Sequence, residues 1–184
     1  MAKDAPRASG MLKTANMDVL LYGFTSGSLI KGKDWEYKLV NDLWRTTAIP
    51  TISTGGAIVK AIRTLGINHI GVVTPYIYEI NRLERNFLED IGIKVTSIKG
   101  LGITENPKIS EISPNCIKAL VKEVSQGSDG VFISCTNLPI VDHIEELEND
   151  LNLPIVTSNQ ASLWAVLKSL ETSMKKGFGK LSSV

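Results

Sequence analysis

From residue 17 onward, the chain alternates short apolar runs with segments that have helical periodicity. The apolar runs are rich in Val and Ile and lack the alternation of polar and apolar residues that marks a half-exposed strand. They are typical of parallel strands that are buried on both faces. Repeated strand–helix units of this kind predict an α/β fold with a mostly parallel sheet or sheets. The strand-like runs are residues 17–22, 50–53, 70–74, 94–98, 130–134 and 154–157.

The segments between these runs carry apolar residues at three- and four-residue spacing, which predicts amphipathic helices. Ser113 followed by Pro114 is typical of a helix start, with Ser as the N-cap and Pro in the first turn. Gly66 and Gly92 follow two of the segments and are natural helix stops. The predicted helices are residues 34–46, 56–65, 78–91, 113–126, 141–151 and 160–170.

Composition excludes several classes of protein. Of the 184 residues, 43% are hydrophobic and 21% are charged, and the net charge is +1, which excludes a disordered chain. No stretch approaches the roughly 20 apolar residues of a membrane span, and no basic stripe suits a nucleic acid. Two cysteines and two histidines, scattered along the chain, predict neither a disulfide framework nor a metal site. The first sixteen residues lack the apolar core of a signal peptide, so we expect a cytoplasmic protein with reduced thiols.

Polar side chains follow several of the predicted strands, at the edge where open parallel sheets bind ligands. The loop of residues 23–28 (GFTSGS) offers hydroxyls and free backbone N–H groups that suit a carboxylate or a phosphate, although it lacks the lysine of a P-loop. A plain turn with capping hydroxyls explains the loop equally well. For residues 53–56 (STGG), a helix cap is the favoured interpretation.

Two further strand ends carry a tyrosine and a cysteine. Tyr76 follows the third strand, where it either aims its hydroxyl into a cleft or covers a helix end. Cys135 follows the fifth strand between hydroxyl and amide side chains, which favours a functional thiol over an ordinary core cysteine. Cys116, by contrast, is expected on the inner face of a helix. Together these positions predict a site, without a cofactor, for a small carboxylate and thiol acid–base chemistry.

Five short motifs occur in an order and spacing that resemble the aspartate/glutamate racemase superfamily, in the branch of the maleate cis-trans isomerases and arylmalonate decarboxylases. The resemblance covers about residues 17–170. The motifs are residues 22–28 (YGFTSGS), 52–54 (IST), 71–76 (GVVTPY), 102–106 (GITEN) and 133–138 (ISCTNL).

The resemblance implies two pseudo-symmetric α/β half-domains with the active site between them, and no metal or organic cofactor. Racemases and isomerases of this superfamily place one cysteine in each half. Cys135 matches the second cysteine, whereas Phe24 stands at the position of the first. The decarboxylases of this branch also lack the first cysteine. They hold a carboxylate among hydroxyl and N–H donors, and the remaining thiol protonates the intermediate that forms when CO2 leaves.

By the same resemblance, the catalytic residue is Cys135, and the substrate-binding residues are drawn from the matched motifs. These binding residues are Thr25, Ser26, Tyr76, Asn106 and Thr136.

The resemblance also predicts how the chain is divided. Relatives begin with about two more strand–helix units, so the first half-domain is expected to be incomplete at its N-terminus. The expected segments are a disordered or basic tail (1–16), a partial first half-domain (17–66), a second half-domain (67–158), a helix that returns to the first half (159–170) and a frayed tail (171–184).

The predicted function is a cofactor-independent isomerase or decarboxylase that acts at the carbon next to a carboxylate through a cysteine thiol. A maleate-isomerase-like reaction is the second choice, and two-base racemisation of aspartate, glutamate or hydantoins fits worst because of Phe24. The alternatives outside this class are a non-catalytic carboxylate-binding paralogue and a nucleotide-binding domain. The expected partner is a small carboxylate or dicarboxylate, with neither nucleic acid nor membrane, and a homo-oligomer is left open.

Overall fold

The computed structural model describes residues 3–184, which form two parallel sheets with helices packed against them. β1 (Leu20–Tyr22) pairs with β2 (Thr51–Ser53), with Leu20 opposite Thr51. The remaining strands are β3 (His69–Thr74), β4 (Lys94–Gly100), β5 (Gly130–Ile133) and β6 (Ile155–Thr157). They form a second sheet in the order β4-β3-β5-β6, in which every neighbouring pair is parallel. All six predicted strands are therefore present, and the predicted α/β class is confirmed.

The helices connect these strands and cover both faces of the larger sheet. They are α1 (Ala5–Lys13), α2 (Thr25–Lys31), α3 (Lys33–Thr47), α4 (Thr54–Thr64), α5 (Tyr78–Asp90), α6 (Asn106–Ile109), α7 (Pro114–Val124), α8 (Ile144–Leu151) and α9 (Ser158–Ser169). Short 3-10 turns occupy Val141–His143 and Lys180–Ser183. The predicted Ser113 cap is confirmed, since its hydroxyl accepts a hydrogen bond from the Cys116 N–H at 3.3 Å.

β3, β5 and β6 are buried on both faces, as their sequences predict, whereas the edge strand β4 is buried only at Val95. Successive residues of β3 enter opposite cores, because side chains alternate along a strand. Val72 packs with α4 and α9 in one hydrophobic cluster, and Val73 packs with α7 and α8 in the other. At Gly71, a Cβ atom would lie 2.1 Å from the backbone carbonyl oxygen of Val124, so α7 approaches β3 too closely for any other residue.

Both predicted tails are ordered elements, which corrects the sequence interpretation. Residues 5–13 form α1, which packs against α3, and residues 1–2 lie outside the described part of the chain. In the C-terminal segment, Leu181 is fully buried and the backbone N–H of Lys180 donates to Glu148 Oε2 at 2.6 Å. The indole N–H of Trp164 donates to the carbonyl oxygen of Val184 at 3.1 Å. Met174 and Leu181 are buried in the same hydrophobic cluster as α4 and α9, whereas Met11 and Leu12 of α1 stay exposed.

α9 crosses from the end of the larger sheet to the helix that follows β2. It packs along α4, and the Ser162 hydroxyl donates to Thr54 Oγ1 at 3.0 Å in a buried contact. The assignment of residues 17–66 and 67–158 to two half-domains stays a prediction. Among residues 3–184, no helix is both long and apolar enough to cross a bilayer.

Candidate active site

Cys135 lies just beyond the carboxyl end of β5, in an unusual backbone conformation. Its φ is +110°, which is rare for a residue with a side chain and costs of order 1–3 kcal/mol. The Cys135 N–H donates to the Ser158 hydroxyl at 3.0 Å, so the first residue of α9 helps to hold this conformation. The residue is 9% exposed. Strain of this kind persists where the surroundings fix it, and it motivates a functional interpretation of the thiol.

The turn after Cys135 directs backbone groups toward the sulfur. The N–H of Asn137 donates to Cys135 Sγ at 3.5 Å, and the side-chain amide of Asn159 donates to the carbonyl oxygen of Thr136 at 2.9 Å. The turn therefore holds the Cys135 sulfur beside a backbone donor just beyond the end of β5.

Tyr76 follows β3, the neighbour of β5 in the sheet, and a polar network fixes its backbone. Its N–H donates to Thr74 Oγ1 at 3.1 Å, and its carbonyl oxygen accepts from the N–H of Gly102 at 3.1 Å. The Thr74 hydroxyl in turn donates to Asn81 Oδ1 at 2.5 Å. Burial raises the pKa of the Tyr76 phenol, and the nearby Cys135 raises it further. The phenol therefore stays neutral and available as a hydrogen-bond donor beside the thiol.

Thr25 and Ser26 lie in the first turn of α2, so much of the predicted glycine-rich loop is helix. This corrects the loop interpretation. Thr25 is 2% exposed, and its hydroxyl makes no hydrogen bond among the described residues, whereas Ser26 is half-buried. α2 packs against α5, the helix that follows Tyr76. The Thr25 hydroxyl is thus a buried polar group that a ligand could satisfy.

Phe24 packs within its own part of the chain. Its ring lies against Gly27, where a Cβ atom would fall 2.1 Å from Phe24 Cδ1, and it meets the Tyr22 ring edge-on at 6.3 Å. The ring also borders an apolar cavity of about 550 Å³ between α1 and β1, which Leu12 and Leu43 line as well. No ionisable group therefore stands at the position where the resemblance expects a first cysteine.

The remaining predicted binding residues lie apart from each other. Thr136 borders a hollow of about 470 Å³, together with Gly23 after β1, Thr54 after β2 and Asn159 of α9. The ends of three strands therefore converge on this hollow. Asn106 begins α6, is exposed, and makes no side-chain hydrogen bond among residues 3–184.

Cys116 is exposed on α7, rather than on the inner face that the sequence suggested. Within the described range, no group of three or more His, Cys, Asp or Glu side chains is arranged to hold a metal ion.

Two buried polar residues near the thiol were not identified from the sequence. Ser134 lies between the end of β5 and Cys135 and is fully buried, and Glu84 of α5 is 1% exposed. Burial raises the pKa of Glu84 to about 8, while its interaction with the Ser134 hydroxyl opposes the shift. One signal was available: Glu84 stands four residues from both Ile80 and Leu88, on the face that the apolar spacing predicts to be buried.

The comparison with family models decides the family. Residues 5–182 match the model described as arylmalonate decarboxylase. The chain belongs to the arylmalonate decarboxylase family.

Curated relatives support this assignment. A maleate isomerase from Geobacillus stearothermophilus is 28% identical over 177 residues, which cover 92% of this chain and 70% of the relative. An arylmalonate decarboxylase from Bordetella bronchiseptica is 27% identical over 164 residues, which cover 85% of this chain and 68% of the relative. The predicted class of enzyme, an isomerase or a decarboxylase, is confirmed, since one of these relatives is an isomerase and the other is a decarboxylase.

Solved structures confirm the fold. An arylmalonate decarboxylase crystal structure matches with a TM-score of 0.92 at 24% identity, over 99% of this chain and 82% of that one. A maleate cis-trans isomerase from Nocardia farcinica matches with a TM-score of 0.95 at 19% identity, over 99% of this chain and 78% of that one. That isomerase is a mutant with a covalently bound succinylcysteine intermediate. The resemblance stated from the five motifs is confirmed.

Proposed function

We propose that this chain acts, without a cofactor, at the carbon next to a carboxylate, with the Cys135 thiol as its proton donor. The observation that carries the proposal is the setting of Cys135 after β5. Its φ of +110°, its hydrogen bond to Ser158 and the Asn137 N–H at its sulfur fix a thiol at a strand end next to the Tyr76 phenol. Thiol chemistry at the carboxyl end of a parallel sheet is the simplest function for such a group.

The reaction that fits best is decarboxylation of a substituted malonate. One carboxylate is held by the hydroxyls of Thr25, Ser26 and Tyr76, while the other leaves as CO2. The electron pair of the broken C–C bond then spreads onto the retained carboxylate and forms an enediolate. Donors aimed at this developing charge typically lower the barrier by about 3–4 kcal/mol each. Cys135 finally protonates the carbon and becomes a thiolate.

Two features favour chemistry with a single thiol. Phe24 occupies the position of the first cysteine, and its ring packs on Gly27 and Tyr22. Racemisation by two opposed bases needs an ionisable group on each face of the substrate, and phenylalanine supplies none. Protonation from one face only should therefore give a single stereochemical outcome.

A maleate-isomerase-like reaction is the second candidate. Here the Cys135 thiolate adds to one carbon of the double bond, which leaves a single bond between the two carbons. The molecule rotates about this C–C bond, and the double bond forms again as the thiolate leaves. The Asn137 N–H, which donates to Sγ, holds the sulfur in place for this addition. The relative from Geobacillus stearothermophilus is named a maleate isomerase, and the resemblance assigns Asn106 and Thr136 to substrate binding.

The proposal extends to the organisation of the protein. The two sheets correspond to half-domains at residues 17–66 and 67–158, and the segment 159–170 returns to the first half through the contact between Ser162 and Thr54. The substrate is a small dicarboxylate. The cytoplasm is the compartment that suits two free cysteines.

Proton NMR in D2O tests the proposal directly. The folded protein is incubated with maleate, arylmalonates, aspartate and hydantoins, beside Cys135→Ser and the matched control Cys116→Ser. We expect loss of CO2 or isomerisation of the double bond, with one deuterium in the decarboxylation product, in the wild type and in Cys116→Ser. Cys135→Ser should lose at least about a hundredfold in rate. Full activity of Cys135→Ser would overturn the proposal, and a folded wild type without turnover would favour a carboxylate-binding protein.

A further inference from the structure

Glu84 is an unusual residue for the interior of this protein. It is 1% exposed on α5, and neither of its carboxylate oxygens makes a hydrogen bond among the described residues. A buried carboxylate without partners is costly, and such a group escapes most of the cost by keeping its proton. Burial raises the pKa of Glu84 to about 8, so the side chain is mostly a neutral acid near neutral pH.

The groups around Glu84 lead to the active-site thiol. The Ser134 hydroxyl is also buried without a hydrogen bond, and it interacts with both Glu84 and the Tyr76 phenol. The phenol in turn interacts with Cys135. Glu84, Ser134, Tyr76 and Cys135 therefore form a series of neighbouring side chains, all 9% exposed or less.

We propose that Glu84 is a buried proton store for the Cys135 thiol, connected to it through Ser134 and Tyr76. The inference rests on the proposed function of Cys135. Because the Ser134 hydroxyl and both Glu84 oxygens make no hydrogen bond among the described residues, the transfer requires rotation of the Ser134 and Glu84 side chains into hydrogen-bond contact. Glu84 is a positioning residue for the proton, since it acts on the substrate only through the thiol.

The proton balance of the series is simple. After Cys135 has protonated the substrate carbon, the protons shift together. The thiolate takes the phenol proton of Tyr76 as the phenol takes the hydroxyl proton of Ser134 and Ser134 takes the carboxyl proton of Glu84, so Tyr76 and Ser134 stay neutral throughout. The net change is a thiolate and a carboxylic acid converted into a thiol and a carboxylate. Glu84 regains a proton from solvent after the product leaves, and this is the one proton that decarboxylation of a malonate to a monocarboxylate consumes.

Charged groups elsewhere do not provide this proton. The lysines of the two elements packed against α5 are Lys31 of α2 and Lys94 and Lys99 of β4, and all three are exposed. None of them contributes to the pKa shift of Glu84, which arises from burial and from Ser134. The titratable groups that face Glu84 are therefore Tyr76 and, beyond it, Cys135.

The connection can be tested without any substrate. In a Cys116→Ser background, the rate at which iodoacetamide alkylates Cys135 is measured from about pH 6 to about pH 10, with and without Glu84→Gln. When Glu84 ionises, its negative charge opposes formation of the thiolate. Alkylation above about pH 8 should therefore be faster in Glu84→Gln than in the background with Glu84. Glu89→Gln, an exposed residue of the same helix, should leave the profile unchanged.

Turnover gives the second readout. With a substrate from the NMR panel, Glu84→Gln should lower kcat at least about tenfold with KM within about twofold, and should remove the fall of kcat above about pH 8. Ser134→Ala should have the same effects, and it serves as the test if Glu84→Gln does not fold.

The possible outcomes separate this inference from the proposed function. Unchanged kcat and an unchanged alkylation profile in both variants would overturn the proton store and leave the role of Cys135 intact. If the wild type turns over nothing in the panel, the proposed function fails. In that case a shifted alkylation profile still supports the connection, and an unshifted one overturns it.

Discussion

The region around Cys135 and the region around Thr25 differ in how far hydrogen bonds within the protein hold the proposed site residues. Near Cys135, hydrogen bonds fix the residues on either side of the thiol, as in the bonds from Cys135 to Ser158 and from Thr74 to Asn81, and the groups without a partner among the described residues are Ser134 and Glu84, which are not proposed to touch substrate. Near Thr25, the buried hydroxyls of Thr25 and Tyr22 have no partners in the described part of the chain, and a cavity of about 550 Å³ lies beside β1. The contrast indicates that the thiol is positioned before substrate arrives, whereas the proposed carboxylate-binding side holds donors that are still unsatisfied.

The largest expected effect is a loss of activity at Tyr76, in the region around Cys135. Tyr76→Phe removes the neutral phenol beside the thiol and should lower kcat/KM by about 10²–10³-fold, the usual loss for a donor to an oxyanion. Steady-state kinetics on a substrate from the NMR panel measures the change. Tyr78→Phe is the matched control, since Tyr78 is 75% exposed, and it should retain full activity. Equal activity of the two variants would remove Tyr76 from the site.

The next effect is a pH dependence of stability. The pKa of Glu84 is about 8 in the folded protein, against an ordinary value of 4.5. Between these values the folded state binds a proton that the unfolded state has released, so this residue makes wild-type stability fall as pH rises from about 4.5 to 8. Glu84→Gln removes that dependence, and its stability relative to the wild type should improve by a few kcal/mol over the window. Thermal unfolding at both ends of the window measures the change, and a constant difference would contradict the burial of an acid.

A pair of glycine substitutions compares the packing of the two regions. Gly71→Ala places a methyl group 2.1 Å from a backbone carbonyl of α7 and should lower the free energy of unfolding by about 1–3 kcal/mol. Gly27→Ala meets only the Phe24 ring, which borders the cavity and can turn into it, and alanine favours the helix by about 1 kcal/mol. Urea unfolding should therefore find Gly27→Ala nearly neutral. A larger loss of unfolding free energy in Gly27→Ala than in Gly71→Ala would contradict this comparison of the two regions.

The smallest effect is expected at Thr25. Thr25→Val removes a buried hydroxyl that has no hydrogen-bond partner among the described residues, so stability should stay the same or rise by up to about 1 kcal/mol. If the hydroxyl binds a carboxylate, KM for the dicarboxylate should rise about tenfold. Kinetics and thermal unfolding are measured together, with the exposed Thr64→Val as the control. An unchanged KM would exclude Thr25 from the carboxylate site.

Much of the fold could be predicted from the sequence, because buried parallel strands leave a strong local signal. The six apolar runs, the Ser113 cap and the position of Cys135 after β5 depend on residues that are adjacent in the chain. The ordered ends could not be predicted in this way. α1 and the segment around Leu181 are ordered by contacts with α3, α8 and α9, which are distant in sequence.

The site was predictable only in part, for a similar reason. Tyr76 and Cys135 could be proposed from the sequence because each directly follows a predicted strand, which is a local signal. Ser158 was missed because its role depends on the approach of α9 to the turn after β5, which sequence spacing does not show. Glu84 was missed because its helix was interpreted by its apolar residues alone.

Protection of Cys135 from alkylation by a dicarboxylate is the most direct test that this thiol lies in the substrate site. The folded protein is treated with iodoacetamide near neutral pH, with and without maleate or phenylmalonate, and both cysteines are followed by peptide mass spectrometry. The exposed Cys116 is an internal reference in the same molecule. We expect Cys135 to react despite its burial and to be protected at least about tenfold by the dicarboxylate, with no change at Cys116. Equal reaction of Cys135 with and without dicarboxylate would contradict a site at the end of β5.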